Sequence, residues 1–100
     1  MNNIIDQILG AGKDLCASEV KLVFSVFQMA HLKAMVFVLG NPDAEYKAST
    51  LMTIYQFKFL TEIKNELELN SKIYSQQIHD LFASELQPML DKNPMSGFEN

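Results

Sequence analysis

The chain has 100 residues, a net charge of −4 at pH 7 and a hydrophobic fraction of 48%. This length predicts a single domain, and the hydrophobic fraction excludes a disordered chain. All eight basic residues are lysines, and they are dispersed among the acidic ones. The chain therefore lacks the arginine side chains and basic runs on which nucleic-acid binding depends, and we expect no nucleic-acid partner.

The cysteine content and the N-terminus indicate the cellular compartment. Cys16 is the only cysteine, which excludes an internal disulfide and predicts a reduced, buried thiol. The first residues lack a basic segment followed by a long apolar stretch, so they are not typical of a signal peptide. These features predict a cytoplasmic protein.

Apolar residues recur with helical spacing along the chain, and they predict an all-α antiparallel bundle of about four helices. The first helix is predicted over residues 3–15, where two glycines weaken it. The second is predicted over residues 18–39, with Ser18 as its N-cap. It should end at Gly40, because glycine accepts the left-handed conformation that ends many helices and Pro42 then begins the next one.

The third helix is predicted over residues 42–69, with Asn41 as its N-cap. We expect a break at Asn70, after which Ser71 caps the fourth helix; the alternative is one continuous helix through this point. The fourth helix is predicted over residues 71–87, because a proline at position 88 removes a backbone donor. Residues 1–90 should therefore form one domain and residues 91–100 a flexible tail, in which Phe98 could dock onto a partner.

Two alternatives concern the second helix. Residues 21–27 and 35–39 are rich in Val and Phe and could form strands, although neither segment alternates cleanly. Residues 20–39 are also long enough to span a bilayer. Because Gln28, His31 and Lys33 lie near the centre of that segment, a buried helix in a soluble protein is preferred, and no membrane partner is expected.

The second helix carries more apolar surface than a small bundle can cover. Its polar stripe is narrow, and a helix that is apolar almost all round must be buried almost all round. The third helix has a smaller surplus outside its main core face. We therefore predict a homodimer or a stable heterocomplex, against the alternative of a tightly wrapped monomer. The predicted interface residues are Phe24, Phe27, Met35, Phe37, Tyr46, Ile54 and Phe57.

The two histidines are the candidates for catalysis or metal binding, and neither has the companions that this chemistry needs. Gln28 and Gln76 stand three residues before His31 and His79, where a helical di-metal site requires glutamate. We expect His31 to be a hydrogen-bonded core residue and His79 a solvated surface residue. The chain also lacks a glycine-rich phosphate loop, and nothing indicates an activated thiolate at Cys16. We predict no catalytic, cofactor-binding or metal-binding residues, no cofactor and no small-molecule substrate.

The segment Ala30-His31-Leu32-Lys33-Ala34 resembles the histidine segment of His-containing phosphotransfer domains, which are helical bundles of about this size. In that family the lysine follows three residues after the histidine and a glycine is present, whereas Lys33 follows two residues after His31 and the glycine is missing. The resemblance implies a histidine that accepts a phosphoryl group.

We expect a small, non-catalytic cytoplasmic module for protein–protein interaction, such as an adaptor, chaperone, inhibitor or immunity-type protein. Its partner is a second copy, another protein, or both, and the negative charge favours a basic partner. The first alternative is a phosphotransfer or other small enzyme module centred on His31 or His79. The second is a membrane-associated protein that inserts residues 20–39.

Overall fold

The structure, a computed structural model, describes residues 2–40 and 48–95, and these two ranges contain four α-helices and no strand. The prediction of an all-α chain with four helices is confirmed. Residues 21–27 and 35–39 both lie within a helix, so the strand alternative is wrong. The helices are α1 (Asn2–Ala11), α2 (Ala17–Leu39), α3 (Ala48–Leu69) and α4 (Gln76–Lys92).

The connection between α1 and α2 differs from the prediction at both of its ends. α1 ends at Ala11 rather than near residue 15, and the backbone N–H of Gly12 donates to the carbonyl of Ile8 at 3.0 Å. The N-cap of α2 is Cys16 rather than Ser18, and its N–H donates to the Glu19 carboxylate at 3.3 Å. Cys16 is exposed, so the prediction of a buried thiol is wrong.

The predicted ends of the second and third helices agree with the structure. α2 ends at Leu39, although Gly40 keeps a right-handed conformation with φ of −82° and donates to the Val36 carbonyl at 2.9 Å. The left-handed conformation expected for Gly40 is therefore wrong. The predicted start of the third helix at residue 42 lies outside the described residues. α3 ends at Leu69, so the break at Asn70 is confirmed and the single continuous helix is wrong.

α4 begins and ends later than the predicted bounds of 71–87. It begins at Gln76 because Ser75, rather than Ser71, is the N-cap and accepts from the N–H of Ile78 at 3.3 Å. It continues through Pro88 to Lys92. A proline inside a helix costs about 3 kcal/mol. The extension adds Leu90 to the core and packs Met89 against it, and burying each such side chain returns about 1.5–3 kcal/mol.

The extension of α4 changes how the C-terminal residues are assigned. Asp91 and Lys92, which we expected in the tail, belong to α4. Residues 96–100, with Phe98 among them, lie outside the described residues, so the expected docking of Phe98 stays a prediction.

α2 and α3 form a long antiparallel hairpin, and α1 and α4 form a second antiparallel pair that packs against it. Phe27 of α2 lies at the junction of the two pairs. Its ring centroid is 6.1 Å from that of Phe59 in α3 and 6.1 Å from that of Phe82 in α4. α1 contributes Ile8, which is fully buried, and all four helices thus share one core.

The core does not extend along the whole hairpin. Among the described side chains, none beyond Ala34 in α2 is buried, and none before Tyr55 in α3 is buried. We call this part of the molecule, residues 31–39 of α2 with residues 48–55 of α3, the hairpin end. Here α2 and α3 still contact each other but leave apolar side chains uncovered.

Candidate protein-interaction surface

The outer face of α2 is apolar in the hairpin end. Leu32, Val36 and Leu39 are 63%, 71% and 76% exposed, and their spacing of three and four residues places them on one side of the helix. The same side carries exposed polar residues in the N-terminal half of α2, namely Lys21, Ser25 and Gln28. The outer face of α2 therefore changes from polar to apolar along its length.

An open groove of about 260 Å³ lies beside this face, between α2 and α3. Its apolar lining comes from Met35, Val38, Ala48, Leu51 and Met52, and its polar boundary is the pair of His31 and Tyr55. Met35 and Val38 are half-buried, whereas Met52 is exposed. The groove and the outer face together form a nearly continuous apolar surface on the hairpin end.

His31 and Tyr55 close the groove toward the core. His31 Nδ1 and Tyr55 Oη are 2.5 Å apart, and the ring centroids are 5.7 Å apart. Tyr55 is buried, and this burial raises the pKa of its hydroxyl above the ordinary value of 10.0. The predicted hydrogen bonding of His31 is confirmed, but its predicted place in the core is wrong because the residue is exposed.

A charge cluster in which opposite charges are paired lies next to the hairpin end, on the side of α2 away from the groove. Glu62 is buried, and its carboxylate lies 3.6 Å from Lys33 Nζ and 3.0 Å from Lys58 Nζ. Lys58 Nζ also lies 5.0 Å from the centroid of the half-exposed Phe37 ring, a cation–π contact. Because the two lysines are already paired, this side offers an incoming partner less free charge than its composition suggests.

The predicted interface residues lie in three different environments. Phe24 and Phe37 are exposed, while Met35, Ile54 and Phe57 are half-buried. Phe27 is only 3% exposed and lies in the core, so it is not accessible to a second chain. Tyr46 lies outside the described residues.

The surplus apolar surface that the sequence indicates on α3 is partly covered within the chain. Phe57 packs against the core and borders the same open cleft as Leu90 and Asp91, which belong to the last turns of α4. This is the part of α4 that continues past Pro88. The sequence predicts that the fourth helix ends before Pro88. It therefore cannot indicate that the last turns of α4 come near Phe57.

Four exposed apolar residues of the hairpin end are absent from the predicted interface: Leu32, Val36, Leu39 and Met52. The first three lie on the same side of α2 as the polar Lys21, Ser25 and Gln28, and they follow these residues at the same helical spacing. Treating α2 as one uniformly apolar helix concealed this change. The signal lies in the C-terminal half of α2, where every position that continues this spacing is apolar.

The other reactive groups of the described chain are engaged in local structure. His79 Nε2 lies 2.9 Å from the carbonyl of Ser71, and its ring meets the edge of Tyr74 with a centroid distance of 6.3 Å. His79 is half-buried rather than fully solvated. Within residues 2–40 and 48–95, no group of three or more His, Cys, Asp or Glu side chains lies close enough to hold a metal ion.

α2 has the length and composition of a membrane-crossing helix, and it is the one helix among the described residues that does. Only 28% of its most apolar stretch is buried within the chain. The helix is therefore less enclosed than a typical core helix, and a lipid surface has to be considered beside a protein partner.

The chain has no significant match among models of known protein families, curated proteins or solved structures. The assignment of function therefore depends on the surface of this molecule.

Proposed function

We propose that this chain is a small, non-catalytic module for protein–protein interaction and that the hairpin end is its contact surface. The observation that carries this proposal is the exposure of Leu32, Val36 and Leu39 on one side of α2. Contiguous apolar surface of this kind is characteristic of interfaces rather than of free monomer surface.

The energetics support a contact role. Full burial of a leucine or valine side chain is worth about 1.5–3 kcal/mol, so covering three side chains that are largely exposed offers several kcal/mol. A small domain has a total stability of about 5–15 kcal/mol. A partner on the hairpin end would therefore contribute a gain comparable to a large part of the folding free energy.

The arrangement around His31 gives less support to the phosphotransfer alternative. The ring is exposed, which such a role requires, but its Nδ1 is held by Tyr55 beside an apolar groove. Lys33 lies nearly on the opposite side of α2 and pairs with Glu62. A phosphoryl group on His31 would carry close to two negative charges. Lys33 would not lie close enough to neutralise them.

A membrane surface is the second candidate partner, because α2 is long and apolar enough to enter a bilayer. Two features favour a protein instead. The N-terminal half of the outer face carries exposed Lys21, Ser25 and Gln28, and α3 presents Thr50 beside the apolar residues of the hairpin end. A lipid-inserted surface would have to desolvate these groups, at a cost that a partly polar protein partner avoids.

A photoreactive amino acid placed at Val36 tests the proposal in the cell that makes the protein. We expect adducts to protein, either a second copy or a different chain. The same amino acid at Gln77, an exposed position of α4, is the control and should give few adducts. Adducts to lipid alone would favour the membrane candidate, and equally weak labelling at both positions would contradict the proposal.

A further inference from the structure

We propose that the occupant of the hairpin end is a second copy of this chain, paired antiparallel through the C-terminal half of α2 with Val36 near the two-fold axis. This inference rests on the proposed function, because it takes the hairpin end to be a protein contact surface. It adds the identity of the partner and the register of the contact.

The change of polarity along the outer face of α2 sets the direction of pairing. A parallel pair would place Lys21, Ser25 and Gln28 against their own equivalents, with like charges facing each other at Lys21. An antiparallel pair can overlap only the apolar halves and leave the polar halves in water. The antiparallel arrangement is also isologous, so the same patch serves both copies and the assembly closes at two.

The spacing of the three outer residues sets the register. Leu32, Val36 and Leu39 are centred close to Val36, so a two-fold axis near this residue brings it against its own equivalent. Leu32 of one copy then lies against Leu39 of the other. Both apolar halves overlap over their full length in this register, and the polar Ser25 of each copy lies beyond the contact.

The available surface matches the minimum for a specific dimer. Beside the three outer residues, Met35 and Met52 add half-buried or exposed apolar area. A gain of about 1.5–3 kcal/mol per side chain at about 25 cal/mol per Å² corresponds to about 60–120 Å² each, so these five side chains hold on the order of 500 Å². Two copies then bury about 1,000 Å², the area above which an interface is credible. Pairing of the hairpin ends would therefore cover the apolar surplus of this part of the molecule, while the exposed Leu69 and Ile73 lie outside the contact.

Disulfide trapping tests the register. In a Cys16→Ser background, Val36→Cys places two thiols near the axis, where facing Cα atoms of packed helices come within the roughly 4–7 Å that a disulfide needs. Ser25→Cys is the matched control on the same face. Its equivalents would lie about 33 Å apart at 1.5 Å per residue, so we expect a disulfide dimer for Val36→Cys and none for Ser25→Cys.

A mixed experiment sharpens this test. Leu32→Cys and Leu39→Cys each place their own equivalents about 10 Å apart along the pair, so neither should cross-link alone. A mixture of the two should give the mixed disulfide. Equal cross-linking of Val36→Cys and Ser25→Cys, or no mixed product from Leu32→Cys with Leu39→Cys, would overturn the register.

Light scattering on size-exclusion fractions tests the assembly itself over a hundredfold range of concentration. The native chain should approach twice the monomer mass of 11.4 kDa. Val36→Glu would bury an unpaired carboxylate from each copy and should raise the dimer Kd at least about a hundredfold, while Ser25→Glu should leave it nearly unchanged. Circular dichroism should show that both variants keep their helices.

The outcomes separate this inference from the proposed function. If the native chain stays at 11.4 kDa at every concentration, the pairing of two copies is wrong. Photo-cross-linking from Val36 to a different protein would then keep the proposed function, with a foreign chain as the occupant. An absence of protein adducts at Val36 would contradict both the pairing of two copies and the proposed function.

Discussion

Ser75 donates its hydroxyl hydrogen to Glu19 across 56 positions of sequence, with 2.5 Å between the two oxygens. Ser75 is the N-cap of α4, and Glu19 lies in the first turn of α2. The other oxygen of the same carboxylate accepts from the backbone N–H of Cys16 at 3.3 Å. One carboxylate therefore joins the N-termini of two helices, where a negative charge is favourable.

This arrangement predicts an acid-sensitive contribution to stability. Hydrogen bonds from Ser75, and then from the side chain and backbone of Cys16, hold the pKa of Glu19 below its ordinary value of 4.5. A carboxylate with a lowered folded-state pKa stabilises the fold above its unfolded pKa and loses this contribution as the pH falls through the folded pKa. Urea unfolding should therefore show that Glu19→Gln is less stable than the native chain at pH 7 and that the difference shrinks below about pH 4.5.

Asp14→Asn is the control for this measurement, because it removes one negative charge from an exposed position of the adjoining turn. A pH dependence that matched in the two variants would show that general charge repulsion, rather than the contact with Ser75, is responsible.

Two glycines near the end of α1 should respond to alanine in opposite directions. A Cβ at Gly10 would meet no atom within 4 Å, so Gly10→Ala should stabilise the chain by about 0.5–1 kcal/mol through helix propensity. A Cβ at Gly12 would lie 2.8 Å from Leu81 Cδ2 and 3.1 Å from Leu15 Cδ1. Gly12→Ala should therefore destabilise it by about 1 kcal/mol.

Urea denaturation of the two glycine variants measures the change in the free energy of unfolding for each, and we expect the two changes to have opposite signs. Equal shifts of the midpoint in the same direction would mean that α1 does not approach α4 as closely at Gly12 as the geometry requires.

Replacement of Pro88 should stabilise α4. Pro88→Ala restores a backbone N–H that can donate to the carbonyl of Ser84 inside a continuing helix, and we expect a gain of about 1–3 kcal/mol in the free energy of unfolding. Gln87→Ala changes the neighbouring exposed position without altering the backbone and is the control. If Pro88→Ala were no more stable than Gln87→Ala, the helix would not continue through residue 88.

Tyr55 should make the fold sensitive to alkali. Burial raises the pKa of its hydroxyl above 10.0, and a group whose folded pKa is raised stabilises the fold below its unfolded pKa and loses this contribution as the pH rises. Unfolding by urea between pH 8 and about pH 11 should thus show a steeper loss of stability for the native chain than for Tyr55→Phe.

The same variant carries a cost at neutral pH. Tyr55→Phe removes the hydrogen bond to His31 Nδ1, and we expect a loss of about 0.5–1.5 kcal/mol at pH 7. An unchanged stability at pH 7 would show that water replaces the tyrosine hydroxyl at no cost.

The sequence predicts those parts of the fold that local chemistry determines. The end of α2 at Gly40 and the end of α3 before Asn70 follow from residues that stop helices. The predicted cap of α2 at Ser18 is wrong because serine is the commoner N-cap residue, whereas Cys16 stands three residues before Glu19, the spacing of a capping box. The end of α4 was misplaced because the cost of Pro88 is offset by tertiary packing of Leu90, which no local pattern contains.

The candidate surface was predicted only in outline. The composition of α2 indicates an excess of apolar residues. The exposed part of this excess depends on where the pair of α1 and α4 stops covering the hairpin of α2 and α3. Phe27 and Phe57 have similar apolar surroundings in the sequence, yet Phe27 lies in the core and Phe57 borders the same open cleft as the last turns of α4. Leu32, by contrast, has a polar neighbourhood in sequence and remains uncovered in the fold.

The exposure of Cys16 makes the molecule suitable for distance spectroscopy without further engineering. It is the only cysteine of the chain, it lies at the N-terminus of α2, and Val36 lies near the other end of the same helix. In an antiparallel pair centred on Val36, dyes on the two thiols would be separated by about 60 Å along the helices. A parallel pair would bring the same dyes together, so energy transfer between two labelled copies reports the orientation of the assembly directly.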